Sequence, residues 1–271
     1  MCFELNFSRN HGDLPPLTLQ EGGVMLSVSG KIDRVDGYIR GNTLYLKVVD
    51  YKTGKKEFRL SDVLYGLNLQ MFLYLMMLKQ SGPAALDSFS GCGGVQRTEP
   101  CGALYVPAKT PYLFREPGET DEKFQSRLDQ ELRRIGLVRD DGDLLEAMEH
   151  GGRFRFLPVS LKKDGSFGER SSLVSALQLN GLLHKTEETL RRIARQISAG
   201  DIEADPYRIN WKENACKFCD FRAACHFDTT MEKDCLRYLP KLEEKAVREL
   251  LEKEEEERLR RNGPEGEEEW L

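Results

Sequence analysis

Two short segments of the chain carry carboxylates and a lysine at spacings that suit metal-assisted hydrolysis. Asp33 lies in Gly-Lys-Ile-Asp-Arg-Val-Asp, and Asp50 and Lys52 lie in Val-Val-Asp-Tyr-Lys-Thr-Gly. Residues two apart on a strand share a face, so Asp50 and Lys52 should project together, and the preceding strand can place Asp33 beside them. Carboxylates bind hard cations such as Mg²⁺, which polarise a phosphate and activate a water that a lysine can orient. The pattern therefore predicts phosphodiester hydrolysis.

A bare Asp-x-Lys also occurs on ordinary surface hairpins, and the surroundings of this one argue against that alternative. Asp50 follows an apolar strand end, and Asp33 follows a similar one. Gln70 and Tyr74 lie one helical turn apart about 20 residues further on, although Tyr74 also fits the apolar stripe of that helix. Asp36 has the opposite strand phase to Asp33, which indicates a structural or DNA-proximal role.

Together, Gly-x-Ile-Asp-Arg-x-Asp, Val-Val-Asp-Tyr-Lys-Thr-Gly and Gln-x-x-x-Tyr resemble the RecB-type branch of the PD-(D/E)XK nuclease superfamily. The resemblance implies an α/β, restriction-endonuclease-like core with a mixed sheet flanked by helices, acting on DNA. Asp33 and Asp50 would then hold Mg²⁺, Lys52 would be catalytic, and Gln70 and Tyr74 would lie beside the DNA and that lysine.

Three cysteines near the C-terminus form a second candidate site. Cys216, Cys219 and Cys225 have the spacing Cys-x2-Cys-x5-Cys, and thiolates select zinc or iron–sulfur clusters. Seven cysteines are an odd number, and three within ten residues indicate a metal site in a reducing compartment more than a disulfide framework. The residues leave the fourth ligand open among His226, Cys235 and the remote cysteines.

The cysteine segment, preceded by Asp-Pro-Tyr at 205–207, resembles the C-terminal end of the AddB family, the second subunits of bacterial AddAB helicase–nucleases. The resemblance implies a [4Fe–4S] cluster on Cys216, Cys219 and Cys225, with a fourth cysteine upstream of this chain. A first core helix bearing a metal-site histidine would also precede it. The implied function is exonucleolytic trimming of the 5′-terminated strand in double-strand-break repair, in the bacterial cytoplasm, with an AddA-type helicase–nuclease subunit as partner. The alternatives are a CRISPR-associated or stand-alone RecB-type exonuclease, and an inactive, cluster-stabilised DNA-binding scaffold.

Composition limits these possibilities further. The 271 residues carry a net charge of −5, which excludes a globally basic nucleic-acid coat but not a local basic patch. No apolar run approaches the roughly 18 residues of a membrane span, no secretory signal is visible, and no phosphate-binding loop of an ATP motor is present. The candidate patch near the first site comprises Lys31, Arg34, Lys52, Lys55, Lys56 and Arg59.

These residues must be positioned by strands and helices that the periodicity predicts. We expect a nuclease core over 1–160, a long helix with the cysteine-rich metal staple over 161–230, and a charged helical or disordered tail over 231–271. The predicted strands are 24–28, 30–39, 44–51, 103–107 and 153–161, the last followed by a turn at 164–165. The predicted helices are 61–79, stopped at 81–83; 120–135, stopped by Gly136; 173–198; and 241–261, with a loop over 84–100 and disorder over 262–269.

Overall fold

The computed structural model describes residues 1–10, 12–54, 56–90, 94–109, 111–151, 154–168, 171–228, 230 and 236–262. In chain order the strands are β1 (Cys2–Phe7), β2 (Leu17–Glu21), β3 (Val24–Val28), β4 (Gly30–Arg40), β5 (Thr43–Lys52), β6 (Arg97–Pro107), β7 (Ile135–Arg139), β8 (Leu173–Val174), β9 (Tyr207–Arg208) and β10 (Arg237–Tyr238). The helices are α1 (Leu60–Leu64), α2 (Gln70–Ser90), α3 (Asp121–Glu131), α4 (Gly142–Met148), α5 (Ala176–Ser198), α6 (Arg222–Cys225) and α7 (Glu244–Asn262).

A mixed sheet with the order β1-β4-β5-β6-β7-β8 forms the centre of the fold. β4 and β5 pair antiparallel across the predicted turn, where Gly41 has a φ of 61°. β5 and β6 pair parallel, so the chain must cross over between them, and α1 and α2 make that crossover. The prediction of a mixed sheet flanked by helices is confirmed.

The central strand β5 is buried along eight of its ten residues. Leu44, Leu46 and Val48 point to one face, where Met71 and Leu75 of α2 cover them in the main hydrophobic cluster. Asp50 and Lys52 continue the same alternation beyond this apolar stretch. The strand therefore carries its polar end directly to the start of α2.

β6 contains a bulge beside β5. Leu46 pairs with Pro100 but Lys47 pairs with Gly102, so Cys101 is an extra residue on β6. Beyond the bulge the pairing is regular and sets Tyr105 opposite Asp50.

The main hydrophobic cluster draws side chains from all three predicted segments. It includes Leu5 and Leu60 from the first, Leu182 from α5 in the second, and Val247 and Leu251 from α7 in the third. The charged helix at the end of the chain is therefore not solvated on all sides, because one stripe of it packs against α5.

The predicted helix over 61–79 is interrupted. Gly66 and Asn68 adopt positive φ angles of 78° and 54°, and the chain makes two helices instead of one. α2 continues past its predicted stop to Ser90 with a non-helical break at Gly82, followed by Pro83. The predicted loop over 84–100 is thus partly helical, and β6 begins six residues earlier than expected.

Two other boundaries differ from the predictions. Gly136 does not stop a helix: α3 ends at Glu131, and Gly136 lies within β7. The described residues of 153–161 form no strand, although the predicted turn is present, with Gly165 at φ 83°. α5 begins at Ala176 with Ser175 and Gln178 in a reciprocal capping box. Of the segment predicted to be disordered, 263–269 lies outside the described residues.

No helix among the described residues combines the length and the apolar character that a membrane span needs.

Gly136 tests the packing of β6 against β7. It has a φ of 137°, and a Cβ placed there would lie 2.1 Å from the carbonyl oxygen of Ala103. We expect Gly136→Ala to lower the free energy of unfolding by about 3 kcal/mol or more, through backbone strain and overpacking. Urea denaturation followed by circular dichroism measures this.

Gly142→Ala is the matched control, because no described atom lies within 4 Å of a Cβ at this first residue of α4. It should stabilise the chain slightly, by up to about 1 kcal/mol. Equal effects of the two substitutions would contradict the described contact between β6 and β7.

Candidate active site

The two aspartates of the first motif lie at the ends of paired strands. The register between β4 and β5 pairs Arg34 with Val49, and one residue further along it sets Asp33 opposite Asp50. Directly opposed residues of an antiparallel pair have Cβ atoms about 5 Å apart on the same face. Asp33 Oδ2 accepts a hydrogen bond from the backbone N–H of Tyr51 at 2.9 Å, which fixes its carboxylate against β5.

Asp50 is a buried carboxylate with an unsatisfied oxygen. The residue is 4% exposed, and its Oδ2 atom lies 2.7 Å from Lys52 Nζ. This contact is an ion pair without hydrogen-bond geometry, so Oδ2 accepts no hydrogen bond from any residue that the structure describes. A buried acceptor in that state costs free energy unless another group occupies the site, and such costs are typical of functional positions.

Lys52, Gln70 and Tyr74 form a chain of contacts across the gap between β5 and α2. Lys52 Nζ donates to Gln70 Oε1 at 3.5 Å, and Gln70 Nε2 donates to the Tyr74 hydroxyl at 3.0 Å. Tyr74 is half-buried, and its ring lies against Gly30 at the start of β4, where an added Cβ would be 3.4 Å from Cε1. Tyr74 thus contacts the core with its ring and the site with its hydroxyl, so both interpretations of this residue hold.

Tyr105 forms the floor of the site on the β6 side. Lys52 Nζ and Lys56 Nζ lie 5.8 and 5.1 Å from its ring centroid. Burial raises the pKa of Tyr105 to about 12, and the nearby Asp50 and Tyr74 act in the same direction, so the phenol stays neutral. Burial, followed by the charge of Lys52, lowers the pKa of Lys56. Two ammonium groups therefore share this face of the ring.

A polar network connects Lys56 to the segment before the cysteines. Lys56 Nζ donates to Asn68 Oδ1 at 2.6 Å, and Asn68 Nδ2 donates to Asp62 Oδ2 at 2.7 Å. Arg59 lies 3.6 Å from Asp62 and makes a two-pronged contact with Glu213 at 2.7 and 3.3 Å. The network explains why the chain leaves helical geometry at Asn68, immediately before α2 presents Gln70.

Asp33 and Asp50 suit a Mg²⁺ ion. Magnesium is usually held by one or two carboxylates, with waters and substrate phosphates completing its octahedron. Two carboxylates on one face, one of them with an oxygen that accepts no hydrogen bond from the described residues, meet that requirement. Among the described residues, no three His, Cys, Asp or Glu side chains come together closely enough to hold a metal ion. The cation therefore stays a prediction.

The three cysteines of the second motif lie in one exposed, turn-rich segment. Cys216 is half-buried, Cys219 and Cys225 are exposed, and all three are free thiols. Their donor chemistry suits an iron–sulfur cluster, but the described thiols are not gathered around one centre. Cys101 packs with Tyr45 in the core, and burial raises the pKa of its thiol to about 12, which makes it a poor ligand. Cys235 and Cys92 lie outside the described residues.

Asp36 is a structural carboxylate on the opposite face of the sheet. It is paired with Arg34 at 2.7 Å and with the buried Lys47 directly across the strand pair at 3.1 Å. Burial opposes ionisation, but the hydrogen bond from Arg34 and the charge of Lys47 outweigh it and lower the pKa of Asp36.

The basic patch differs from its prediction. Lys31 pairs with Glu4, Arg34 with Asp36, and Arg59 with Glu213, which leaves Lys52 and Lys56 facing the site. Lys55 lies outside the described residues.

A cleft of about 520 Å³ opens beside Lys52 and Lys56, and it also contains Lys109 and Arg134. Neither of the latter two was expected from the sequence. Lys109 follows β6, which ends at the same sheet edge as its parallel neighbour β5, and Arg134 precedes the antiparallel β7. This topology, once known, would have indicated both residues.

Comparison with known proteins agrees with this geometry. The sequence matches the model of a protein family described as the PD-(D/E)XK nuclease superfamily over residues 2–226. It is also similar to proteins named as the B-type subunit of an ATP-dependent helicase/deoxyribonuclease. That of Acetivibrio thermocellus is 32% identical over 260 residues, covering 95% of this chain and 22% of the relative. That of Thermoanaerobacter sp. is 30% identical over 253 residues, covering 93% and 21%. That of Bacillus cereus is 32% identical over 247 residues, covering 90% and 20%. The chain spans about one fifth of the length of these curated relatives.

The structural role of Asp36 can be tested by Asp36→Asn. The substitution leaves Lys47, which is 5% exposed, without its counter-charge, so we expect a loss of about 3 kcal/mol in the free energy of unfolding at pH 7. Because the pKa of Asp36 is lowered in the folded state, its stabilisation is complete above its ordinary value of 3.8 and disappears as the pH falls through the lowered value. The difference from wild type should therefore shrink in urea denaturation as the pH falls toward 3.

Asp143→Asn is the control, since Asp143 is an exposed carboxylate paired with Arg40. Its effect should stay within about 0.5 kcal/mol at both pH values. An Asp36→Asn variant as stable as wild type at pH 7 would refute the structural role.

Proposed function

Because the chain belongs to the PD-(D/E)XK nuclease superfamily, we propose that it hydrolyses phosphodiester bonds of DNA with a Mg²⁺ ion held by Asp33 and Asp50. The observation that carries this proposal is the unsatisfied, buried Oδ2 atom of Asp50 at 2.7 Å from Lys52 Nζ. When bound, the cation supplies polarisation of the scissile phosphate and a water of lowered pKa.

The protein's own side chains have distinct roles in this proposal. The Lys52 ammonium orients the attacking water and stabilises negative charge that develops on the phosphate. Gln70 holds Lys52 by its amide oxygen and is itself held by Tyr74, so the ammonium is fixed before substrate arrives. The neutral phenol of Tyr105 forms the wall behind both lysines and takes no part in proton transfer, because its pKa of about 12 keeps it protonated.

We further propose that this domain acts as an exonuclease within a bacterial helicase–nuclease, on the 5′-terminated strand during double-strand-break repair. The support is the name shared by its relatives, which are helicase/deoxyribonuclease subunits each about 30% identical over nine tenths of this chain. The other subunit of the complex would be of the AddA type and would supply ATP-driven unwinding. Free thiols throughout the described cysteines fit the reducing bacterial cytoplasm. The assembled Asp33, Asp50 and Lys52 set argues against an inactive scaffold.

A [4Fe–4S] cluster on Cys216, Cys219 and Cys225 is a separate proposal. Its support is the donor set itself, three thiols within one exposed segment that has no disulfide among the described cysteines. The segment is joined to the nuclease site through Glu213 and Arg59. A cluster here would organise the segment, and we assign it no step of the hydrolysis.

Asp50→Asn tests the proposed hydrolysis. We expect it to slow Mg²⁺-dependent cleavage of linear DNA by more than about 100-fold, since even the partners of metal ligands are worth 10- to 100-fold. The variant should fold at least as stably as wild type without metal, because it removes a buried charge whose Oδ2 lacks a hydrogen bond from the described residues. Mg²⁺ should raise the Tm of wild type and not that of the variant.

Asp143→Asn should keep both the cleavage rate and the Mg²⁺-induced rise in Tm, since its carboxylate is exposed and remote from the site. Cleavage by Asp50→Asn at the wild-type rate would exclude the proposed active site.

The cluster proposal predicts brown protein with broad visible absorbance after anaerobic purification. Cys219→Ser should lose most of the iron, as measured by metal analysis. Cys101→Ala should retain it, because Cys101 is a core residue. Colourless protein with stoichiometric zinc would overturn the assignment.

A further inference from the structure

The cleft beside the active site has a positively charged wall. The described residues that line it include five cations, Lys52, Lys56, Lys109, Arg133 and Arg134, against the two carboxylates of Glu57 and Glu131. The protein as a whole is acidic, with a net charge of −5, so this concentration of positive charge is local.

The cations of this wall differ in how they are held. Arg133 donates hydrogen bonds to the backbone carbonyls of Leu157 and Val159, which hold it in place. Within the part of the chain that the structure describes, neither Lys109 nor Arg134 makes a side-chain hydrogen bond or ion pair. Unpaired cations in a concave site next to a phosphate-cleaving centre are suited to bind further phosphates.

The loop that leaves this cleft exposes two aromatic rings. Pro111 lies on the cleft wall, Tyr112 follows it with 98% of its surface exposed, and Phe114 is 89% exposed. The loop starts beside the catalytic lysine, because the backbone N–H of Ala108 donates to the carbonyl of Lys52 at 2.9 Å. A chain extends at most about 3.6 Å per residue, so Tyr112 lies within about 14 Å of Ala108.

The base of this loop is held rigidly although its rings are in solvent. Arg127 donates to both carboxylate oxygens of Glu119 at 2.9 Å, and that carboxylate is fully buried. Glu119 also accepts from the backbone N–H of Glu116 at 3.1 Å. On the other side of the turn, Arg115 pairs with Asp121 at 2.7 Å. A segment fixed in this way presents its rings at a low entropic cost of binding.

We propose that this cleft and loop bind single-stranded DNA next to the scissile bond. Phosphates contact Lys109 and Arg134, and bases stack on Tyr112 and Phe114. A duplex hides its base faces, whereas a single strand offers them, and every base can stack on an aromatic ring. The cationic wall favours a polyanion over a second protein surface. This inference rests on the proposed nuclease function, because it treats Lys52 as the end of the phosphate track.

The test measures binding of a fluorescent oligothymidine to the 271-residue chain by anisotropy, with EDTA present so that nothing is cut. Tyr112→Ala and Phe114→Ala should each weaken binding by about tenfold. Lys109→Gln and Arg134→Gln should also weaken binding, and each should reduce the slope of log K against log salt by about 0.7. The aromatic substitutions should leave that slope unchanged. Because Tyr112 and Phe114 are almost fully exposed, these variants should keep the wild-type Tm.

An abasic oligonucleotide of the same length separates the two contributions. On it, the aromatic substitutions should lose their effect, while the Lys109 and Arg134 substitutions should keep theirs. Tyr238→Ala, which removes another exposed ring outside the cleft, should bind both oligonucleotides as wild type does.

Wild-type affinity of the Tyr112 and Phe114 variants for oligothymidine would overturn the inference and leave the loop as a protein-binding surface. Equal losses on the abasic strand would also overturn it, since stacking needs bases. Neither result bears on cleavage: a chain that binds as proposed but does not cut DNA with Mg²⁺ would refute the proposed function alone.

Discussion

The placement of an ionised carboxylate at the end of a buried strand is the constraint on which the rest of the structure depends. β5 is enclosed along eight of its ten residues, and Asp50 is still 4% exposed where the apolar stretch ends. Desolvating such a charge costs several kcal/mol, so its surroundings must offset that cost. Lys52 supplies a counter-charge on the same strand, the crossover brings α2 over the same face, and Gln70 fixes the lysine. The apolar packing of β5 against α2 thus holds polar groups that would not converge without it.

The two faces of the sheet divide the ionisable residues between separate tasks. On the face covered by α2, Asp50 retains an oxygen that accepts no hydrogen bond from the described residues, and Lys56 carries a lowered pKa. On the other face, Asp36 is satisfied by Arg34 and Lys47, and its pKa is lowered. Full satisfaction stabilises a fold, whereas incomplete satisfaction leaves room for a ligand. Strand alternation alone separates these environments, because Asp33 and Asp36 are only three residues apart.

The parts of the fold that could be predicted from sequence are those whose pattern is local. Alternation and a Gly-Asn turn were enough for β4 and β5, and the one-turn spacing of Gln70 and Tyr74 placed both on one helix face. The break before α2 could not be predicted, because an isolated glycine is tolerated in a helical pattern and Asn68 adopts its positive φ through a network with Lys56 and Asp62.

Other features depend on contacts between segments that are distant in sequence. Gly136 was mistaken for a helix stop because its real constraint is the carbonyl of Ala103 on a neighbouring strand. Lys109 and Arg134 join the cleft only through the order of strands in the sheet. The cysteine spacing indicated a metal site, but spacing along the chain does not determine how the thiols are oriented, and the described thiols are not gathered.

The bulge at Cys101 has a consequence for the kinds of sequence change that this protein can accept. One extra residue on β6 restores the register that sets Tyr105 opposite Asp50. Side chains alternate faces along a strand, so inserting or deleting a single residue between the bulge and Tyr105 would turn that ring to the far side of the sheet. Substitutions here change one contact, but a change of length reassigns every residue beyond it. Insertions and deletions should therefore accumulate in the surface loop after Pro107, while the length of β6 from Cys101 to Tyr105 stays constant among related chains.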